Sequence, residues 1–219
     1  FVTPFPDSAT AALEMAPKGF EFVAAAADSP QYREAIQDAS YLVGFVAELI
    51  QPPLYAAAKN LKLIQLLSAG YDPANIEAAR GAAIPIANNG GANSVAVSEH
   101  ALLLMLGVSR QLVKQHALVS QGQWRGNQTP RLFELRDKTL GIIGLGTIGK
   151  KVARLANAFG MRVNYYDVAR LTEAEEDVAN VRFKLLNELV ASADIVSLHV
   201  PLNESTHHLI DAAALDLMK

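Results

Sequence analysis

The chain has 219 residues, of which 51% are hydrophobic and 19% are charged, and this composition predicts a globular protein with a packed core. Such a length fits one large domain or two small ones. The formal net charge is −3 and no basic run stands out, so neither nucleic acid nor a membrane surface is an expected partner. The sequence has no cysteine, which excludes disulfides and thiolate chemistry, and its apolar runs are far too short to span a bilayer. We expect a cytoplasmic protein.

Short apolar runs and helical stretches alternate over roughly the first ninety residues. The runs have the length of strands and cover 21–26, 41–45, 61–67 and 83–87. Helical stretches lie between them at 31–39 and 53–59, and residues 1–4 are similar to the end of a further strand. This alternation predicts a parallel sheet with helices on both faces.

A turn-rich segment at 88–93 predicts a boundary between two domains, 1–92 and 93–219. A long helix is expected after it, from about residue 94 to 121, with Asn93 as its N-cap. Its predicted apolar face consists of Ala101, Leu104, Met105, Val108 and Leu112.

The second domain is expected to contain strands at 140–143, 162–166, 181–183 and 194–200, with a helix at 187–192 before the last strand. An acidic stretch at 172–177 is interpreted as the solvated start of another helix. These elements again alternate as in a parallel sheet.

The most informative stretch is the strand at 140–143, which leads directly into a G-x-G-x-x-G motif formed by Gly144, Gly146 and Gly149. In a dinucleotide-binding unit, the first glycine permits a tight turn, the second lets the backbone approach a pyrophosphate, and the third lets the helix pack closely. The N-terminus of the following helix offers free N–H groups to phosphate. Asp167 ends the next strand, 18 residues after Gly149, where a carboxylate accepts ribose hydroxyls and repels a 2′-phosphate.

The order of strand, glycines, helix and acid within one βαβ unit favours dinucleotide binding, and Asp167 favours NAD over NADP. Two alternatives stay open on the motif alone. One is an ordinary βαβ turn, and the other is a nucleotide site of the methyltransferase type.

Further motifs resemble those of the D-isomer-specific 2-hydroxyacid dehydrogenase family, in the same order over nearly the whole chain. They are S-A-G-Y-D at 68–72, N-S-V-A-V-S-E-H at 93–100, G-Q-W at 122–124, the glycine motif, and H-V-P-L at 199–202 followed by Thr206. The resemblance implies an α/β protein with two Rossmann-like or flavodoxin-like parallel-sheet domains. The first (1–92) would bind substrate and the second (93–219) would bind NAD, with the second domain truncated at its C-terminal side. It also implies hydride transfer between NAD(H) and a small 2-oxo acid or D-2-hydroxy acid, in a homodimer.

The resemblance also assigns site residues. The substrate-binding positions are Ala69, Gly70 and Asn93. The cofactor-binding positions are Val97, Gly144, Gly146, Thr147, Ile148, Gly149, Asp167, His199, Val200, Pro201 and Thr206. Among these, Thr147 and Ile148 would face the pyrophosphate, Val97 would lie beside the nicotinamide, and Val200 and Pro201 would form a wall under the adenosine.

No catalytic residue is expected within the chain, because the Arg, Glu and His that carry catalysis in the family lie beyond the segment that matches Lys219. His100 and His199 match other positions and are not expected to be the catalytic acid or base. We therefore expect a piece of a longer enzyme that is inactive alone. No metal site is expected from the scattered histidines. A non-catalytic NADH-sensing protein on the same fold, like the corepressors that resemble these dehydrogenases, is the alternative function.

Overall fold

A computed structural model of the chain describes residues 1–27, 29–124 and 132–219. These residues form two compact units, Phe1–Ala92 and Asn93–Lys219. Each unit has a sheet in which all paired strands are parallel, with helices between the strands in sequence. The predicted α/β class with two parallel-sheet units is confirmed.

The first unit contains α1 (Pro6–Glu14), α2 (Pro30–Ala35), β1 (Tyr41–Gly44), a 3-10 turn (Ala47–Leu49), α3 (Pro52–Ala57), β2 (Leu63–Leu66), α4 (Ile76–Ala82) and β3 (Ile86–Ala87). The strand order is β1-β2-β3. Its core is built on the fully buried side chains of Ile64 and Leu66 in β2, together with Val46 and Ile50. The three strands and the helices α2 and α3 overlap predicted runs of the same kind, whereas α1 and α4 were not predicted. No residue of α1 is buried, so the helix lacks the apolar face that reveals a helix in a sequence.

The N-terminal chain extends this sheet through single contacts rather than through a regular strand. Val2 forms isolated parallel bridges to Ala25 and to Gly44. The predicted strand at 21–26 was therefore wrong as a continuous element, since only Ala25 pairs within it. Gly44 permits the close approach, because it has a φ of +146° and a Cβ there would overlap the carbonyl oxygen of Val2.

The second unit contains α5 (Ser94–Ser109), α6 (Leu112–Ser120), β4 (Thr139–Ile143), α7 (Thr147–Ala158), β5 (Arg162–Tyr166), α8 (Glu173–Ala179), β6 (Arg182–Phe183), α9 (Leu186–Ser192), β7 (Ile195–Leu198) and α10 (Ala212–Leu217). The strand order is β6-β5-β4-β7, and β4 is buried along its whole length. All four predicted strands and the predicted helix before β7 are present. No helix in the two described stretches of this unit, or in the first unit, has the length and apolar character needed to cross a bilayer.

The single helix predicted at 94–121 was wrong, because the chain breaks into α5 and α6. The break lies at Arg110 and Gln111, where Gln111 adopts a left-handed conformation with a φ of +47°. Asn93 is the N-cap residue of α5, as predicted, but its side chain accepts no hydrogen bond from the first turn.

The apolar face predicted for this helix was also largely wrong. Leu104 and Val108 are exposed, at 57% and 71%, whereas Met105 is buried as predicted. The residues that face the core are Ser94, Ser98, Leu102, Met105 and Ser109. Because α5 is apolar on nearly every side, its apolar periodicity does not identify the buried face.

The acidic stretch forms the start of α8, as predicted, with a capping box between Thr172 and Glu175. Glu176 departs from the prediction of a solvated face, since it is only 5% exposed. Its Oε1 accepts hydrogen bonds from the Tyr165 hydroxyl at 3.0 Å and from Nε of Arg170 at 3.4 Å. Burial raises the pKa of Glu176, but these hydrogen bonds and one from the Phe183 backbone outweigh it and hold the pKa below its ordinary value.

Candidate functional site

The turn between β4 and α7 requires glycine at its first position. Gly144 has a φ of +92°, and its N–H donates to the carbonyl oxygen of Tyr166 at 2.8 Å. A Cβ at this position would lie 2.6 Å from the carbonyl oxygen of His199 and 2.8 Å from Cγ1 of Val200. The turn therefore packs closely between the ends of β5 and β7, and residue 144 has no room for a side chain.

The other two glycines of the motif have opposite surroundings. A Cβ on buried Gly149 would overlap the carbonyl oxygen of Gly144, so α7 packs directly against the turn. A Cβ on exposed Gly146 would meet no described atom within 4 Å. The backbone around Gly146 thus borders an open space, which is the arrangement needed for a phosphate group to approach closely.

The N-terminus of α7 borders the same space. Gly146 is its N-cap residue and supplies no side-chain cap, so the N–H groups of the first turn stay available to a ligand. Thr147 is exposed and Ile148 is half-buried in that turn. A helix N-terminus attracts anions through these N–H groups and through the helix dipole, so this site fits the diphosphate of a dinucleotide.

Asp167 follows β5 and is tied to the glycine turn. Its Oδ2 accepts a hydrogen bond from the N–H of Leu145 at 2.6 Å, and its Oδ1 accepts one from the N–H of Ala169 at 2.9 Å. The side chain is half-buried. Each carboxylate oxygen has a second lone pair, so the group is able to accept ribose hydroxyls while it holds the turn.

The residues after β7 lie on the other side of β4 from Asp167. The N–H of His199 donates to the carbonyl oxygen of Ile143 at 2.7 Å, and Nε2 of His199 lies 2.9 Å from Oγ of Ser197. Burial lowers the pKa of His199, which favours the neutral imidazole. Val200 lies against the glycine turn, as its distance from Gly144 shows.

Pro201 and Thr206 belong to a loop that is closed by its own hydrogen bonds. The Thr206 hydroxyl donates to the carbonyl oxygen of Pro201 and accepts from the N–H of Asn203 at 2.9 Å. Thr206 therefore shapes this loop, and its predicted contact with the cofactor stays a prediction.

The strand order explains why these groups meet. The chain passes from β4 to β5 and β6 on one side and then crosses to β7 on the other side of β4. Ligands of parallel α/β sheets bind at the carboxyl ends of the strands where the order reverses in this way. The glycine turn, Asp167 and His199–Val200 follow the carboxyl ends of β4, β5 and β7.

The predicted substrate residues Ala69 and Gly70 lie in the first unit, in the loop after β2. Ala69 is half-buried and Gly70 is exposed. The carbonyl oxygen of Ala69 accepts a hydrogen bond from Nδ2 of Asn88 at 2.8 Å. Sequence reasoning missed Asn88, although its position directly after β3 places it at the carboxyl edge of the same sheet.

Asn93 and Val97 lie in the second unit, at the start of α5, where the N–H of Val97 donates to the carbonyl oxygen of Asn93 at 2.9 Å. The structure thus brings together the predicted residues of the glycine turn, Asp167, His199 and Val200. Within the described ranges, no group of three or more His, Asp or Glu side chains is arranged to hold a metal ion.

Comparison with known proteins places the chain. Residues 102–219 match the family model of the NAD-binding domain of D-isomer-specific 2-hydroxyacid dehydrogenases. A glyoxylate reductase from Thermococcus litoralis is 35% identical over 192 residues, which are 85% of this chain and 58% of that protein.

Two solved structures are also similar. The D-lactate dehydrogenase of Aquifex aeolicus, crystallised with NAD and lactic acid, superposes with a TM-score of 0.87 at 27% identity, over 100% of this chain and 65% of that one. A glyoxylate reductase from Paecilomyes thermophila gives a TM-score of 0.75 at 33% identity, over 84% of this chain and 57% of that one. The chain spans less than two thirds of the length of these relatives. It belongs to the D-isomer-specific 2-hydroxyacid dehydrogenase family, and its second unit carries the NAD-binding domain of that family.

Proposed function

We propose that this chain provides the cofactor site and part of the substrate site of an oxidoreductase that interconverts a small 2-oxo acid and a D-2-hydroxy acid. The observation that carries this proposal is the turn at Gly144–Gly149, open at Gly146 and bordered by the carboxylate of Asp167. When bound, the reduced cofactor NADH would supply the hydride for reduction of the 2-oxo acid, and the oxidised form NAD⁺ would accept it in the reverse reaction.

The cofactor is held mainly by backbone groups in this proposal. N–H groups at Thr147, Ile148 and Gly149 bind the diphosphate, because they open α7 and have no side-chain cap. Asp167 accepts the ribose hydroxyls and disfavours a 2′-phosphate by charge repulsion. Val200 and Pro201 exclude water from one side of the adenosine, and Thr206 keeps their loop in place.

In this proposal the N–H groups of Ala69 and Gly70 bind the substrate carboxylate, Asn93 is a further substrate-binding residue, and Val97 lies beside the nicotinamide. The relatives named glyoxylate reductase and D-lactate dehydrogenase act on small 2-oxo or 2-hydroxy acids, which supports the same substrate class here. His199 is not proposed as the proton donor, because its Nε2 is engaged with Ser197 and its lowered pKa favours the neutral form.

The cofactor part is tested by titrating the chain with NADH, NADPH and S-adenosylmethionine while NADH fluorescence or heat is measured. We expect NADH to bind at least ten times more tightly than NADPH, because repulsion of one phosphate by Asp167 is worth about 1.4 kcal/mol or more. Preference for S-adenosylmethionine would contradict the proposal, as would equal binding of NADH and NADPH.

We also propose that the protein forms a homodimer through α5 and α6. Their exposed apolar side chains support this, with Val108 at 71% and Val113 at 84% exposure. Sedimentation equilibrium is expected to give twice the chain mass, and Val113→Glu is expected to shift the protein to a monomer. A monomeric unaltered chain would contradict this part.

A further inference from the structure

In the loop after β2, the carbonyl groups of Ser68, Ala69 and Gly70 each accept a hydrogen bond from the protein. The carbonyl oxygen of Ser68 accepts from the N–H of Asn89 at 3.0 Å, and that of Gly70 accepts from Oγ of Ser68 at 2.8 Å. Between them, the carbonyl oxygen of Ala69 accepts from Nδ2 of Asn88 at 2.8 Å. These three carbonyls are thus fixed in direction.

Two N–H groups of the same loop have no acceptor among the described residues. Neither Ala69 nor Gly70 donates its N–H to any described protein acceptor. In a planar trans peptide, the carbonyl of one residue and the N–H of the next point in opposite directions. A hydrogen bond that fixes the Ala69 carbonyl therefore also fixes the direction of the Gly70 N–H.

We propose that Asn88 is a positioning residue for the substrate: its carboxamide holds the Ala69–Gly70 peptide so that the Gly70 N–H faces the carboxylate of a 2-oxo acid. This inference rests on the proposed function of the loop. The neighbouring peptide, between Ser68 and Ala69, is held in the same way by the backbone of Asn89. The side chain of Asn88 therefore orients the Gly70 N–H, and the main chain of Asn89 orients the Ala69 N–H.

Two features make the side chain of Asn88 important in this role. The carboxylate of Asp72 lies 3.2 Å from the position that a Cβ on Gly70 would occupy. Because this carboxylate repels an anion, the loop attracts a substrate carboxylate only if its N–H groups point toward it. Asn88 is also exposed and lies just after β3, outside the buried core. Its replacement is expected to change the loop without unfolding the unit.

The chain offers a matched control in the adjacent residue. Asn88→Asp removes the donor to Ala69 and adds one negative charge. Asn89→Asp adds the same charge one residue away but keeps the backbone hydrogen bond to Ser68, which does not use the Asn89 side chain. Asn88→Ala removes the donor without adding charge.

The probe is oxamate, a non-reducible isostere of a 2-oxo acid, added to ¹⁵N-labelled protein while the amide signals of Ala69 and Gly70 are followed. We expect the Kd for oxamate to rise at least tenfold in Asn88→Asp and about threefold to tenfold in Asn88→Ala, but less than threefold in Asn89→Asp. The Kd for NADH is expected to stay within twofold in all three variants, because the cofactor residues lie in the other unit. Thermal melting checks that each variant is folded. If Asn88→Asp does not fold, the comparison of Asn88→Ala with the unaltered chain decides the result.

The outcomes separate two kinds of failure. If oxamate moves the two amide signals but Asn88 variants bind it as well as Asn89→Asp does, Asn88 does not position the loop. If oxamate leaves these signals unmoved in the unaltered chain while NADH binds, the proposed role of the loop is wrong, and the role of Asn88 is wrong with it.

Discussion

The carboxylate of Asp167 accepts a 2.6 Å hydrogen bond from the backbone N–H of Leu145, which lies between the first two glycines of the motif. Asp167 directly follows β5, and Leu145 lies two residues after the neighbouring β4, so this bond links the segments after the two strands. Asp167, which was predicted only to bind ribose, therefore also holds the glycine turn in shape.

Replacing Asp167 is expected to affect both roles. Asp167→Ala removes the acceptor for Leu145 and the ribose contacts, so NADH affinity is expected to fall roughly tenfold to a hundredfold, as for loss of a charge-assisted hydrogen bond. Asp167→Asn keeps an acceptor oxygen, so we expect a smaller loss of NADH affinity than in Asp167→Ala. Because the negative charge is gone, the preference for NADH over NADPH is expected to decrease. Fluorescence titration with both cofactors measures these changes. Unchanged NADH affinity in Asp167→Ala would contradict the assignment.

Gly146 and Gly149 are expected to respond differently to substitution. Gly146→Val adds a side chain in open space, so we expect the protein to stay folded while NADH binding is lost. Gly149→Ala forces a methyl group onto the carbonyl of Gly144, so we expect a loss of about 3 kcal/mol in the free energy of unfolding.

Urea unfolding and NADH titration of both variants test this pair. A stable Gly149→Ala protein would show that α7 packs less closely on the turn than described. Normal NADH affinity in Gly146→Val would show that the cofactor does not approach this glycine.

The glycine turn was predictable because its sequence requirements are local. A strand, three glycines at fixed spacing and an acid at the end of the next strand specify the backbone geometry without knowledge of the rest of the fold. The buried face of α5 was not predictable, because an all-round apolar helix leaves the choice of face to tertiary packing. Asn88 and Glu176 were missed for a similar reason, since their partners Ala69 and Tyr165 are distant in sequence.

The buried hydroxyl of Tyr165 is expected to contribute to stability. It accepts from the N–H of Leu171 at 2.9 Å and donates to Glu176. Tyr165→Phe therefore leaves the Leu171 N–H without its acceptor and removes one of the hydrogen bonds to the buried Glu176 carboxylate. The expected cost is about 1–3 kcal/mol in the free energy of unfolding. Tyr166→Phe is the control, since that half-buried residue follows directly and its hydroxyl makes no hydrogen bond to a residue in the described ranges, and its expected change is below about 0.5 kcal/mol. Equal stabilities for the two variants in urea unfolding would rule out this contribution.

Asp194 is expected to make stability depend on pH. A hydrogen bond from the Thr139 N–H, at 2.8 Å, and Lys219, at 3.1 Å, hold the pKa of Asp194 below its ordinary value. A carboxyl with a lowered folded pKa stabilises the protein above its unfolded pKa of about 3.9, and this contribution is lost as pH falls through the folded pKa. The stability difference between the unaltered chain and Asp194→Asn is therefore expected to be constant near neutrality and to shrink below about pH 4. A difference that does not change with pH would contradict this.

The contact of Gly144 with the His199 carbonyl has a consequence for how the second sheet assembles. Successive residues of a strand point to opposite faces, so a slip of β7 by one position against β4 would turn every side chain over. Because Gly144 has no side chain, the carbonyl group of His199 and the Cγ1 methyl group of Val200 approach its backbone closely. In a slipped register Val200 would no longer lie beside this turn, so the pairing of β7 with β4 and the shape of the proposed cofactor site depend on each other.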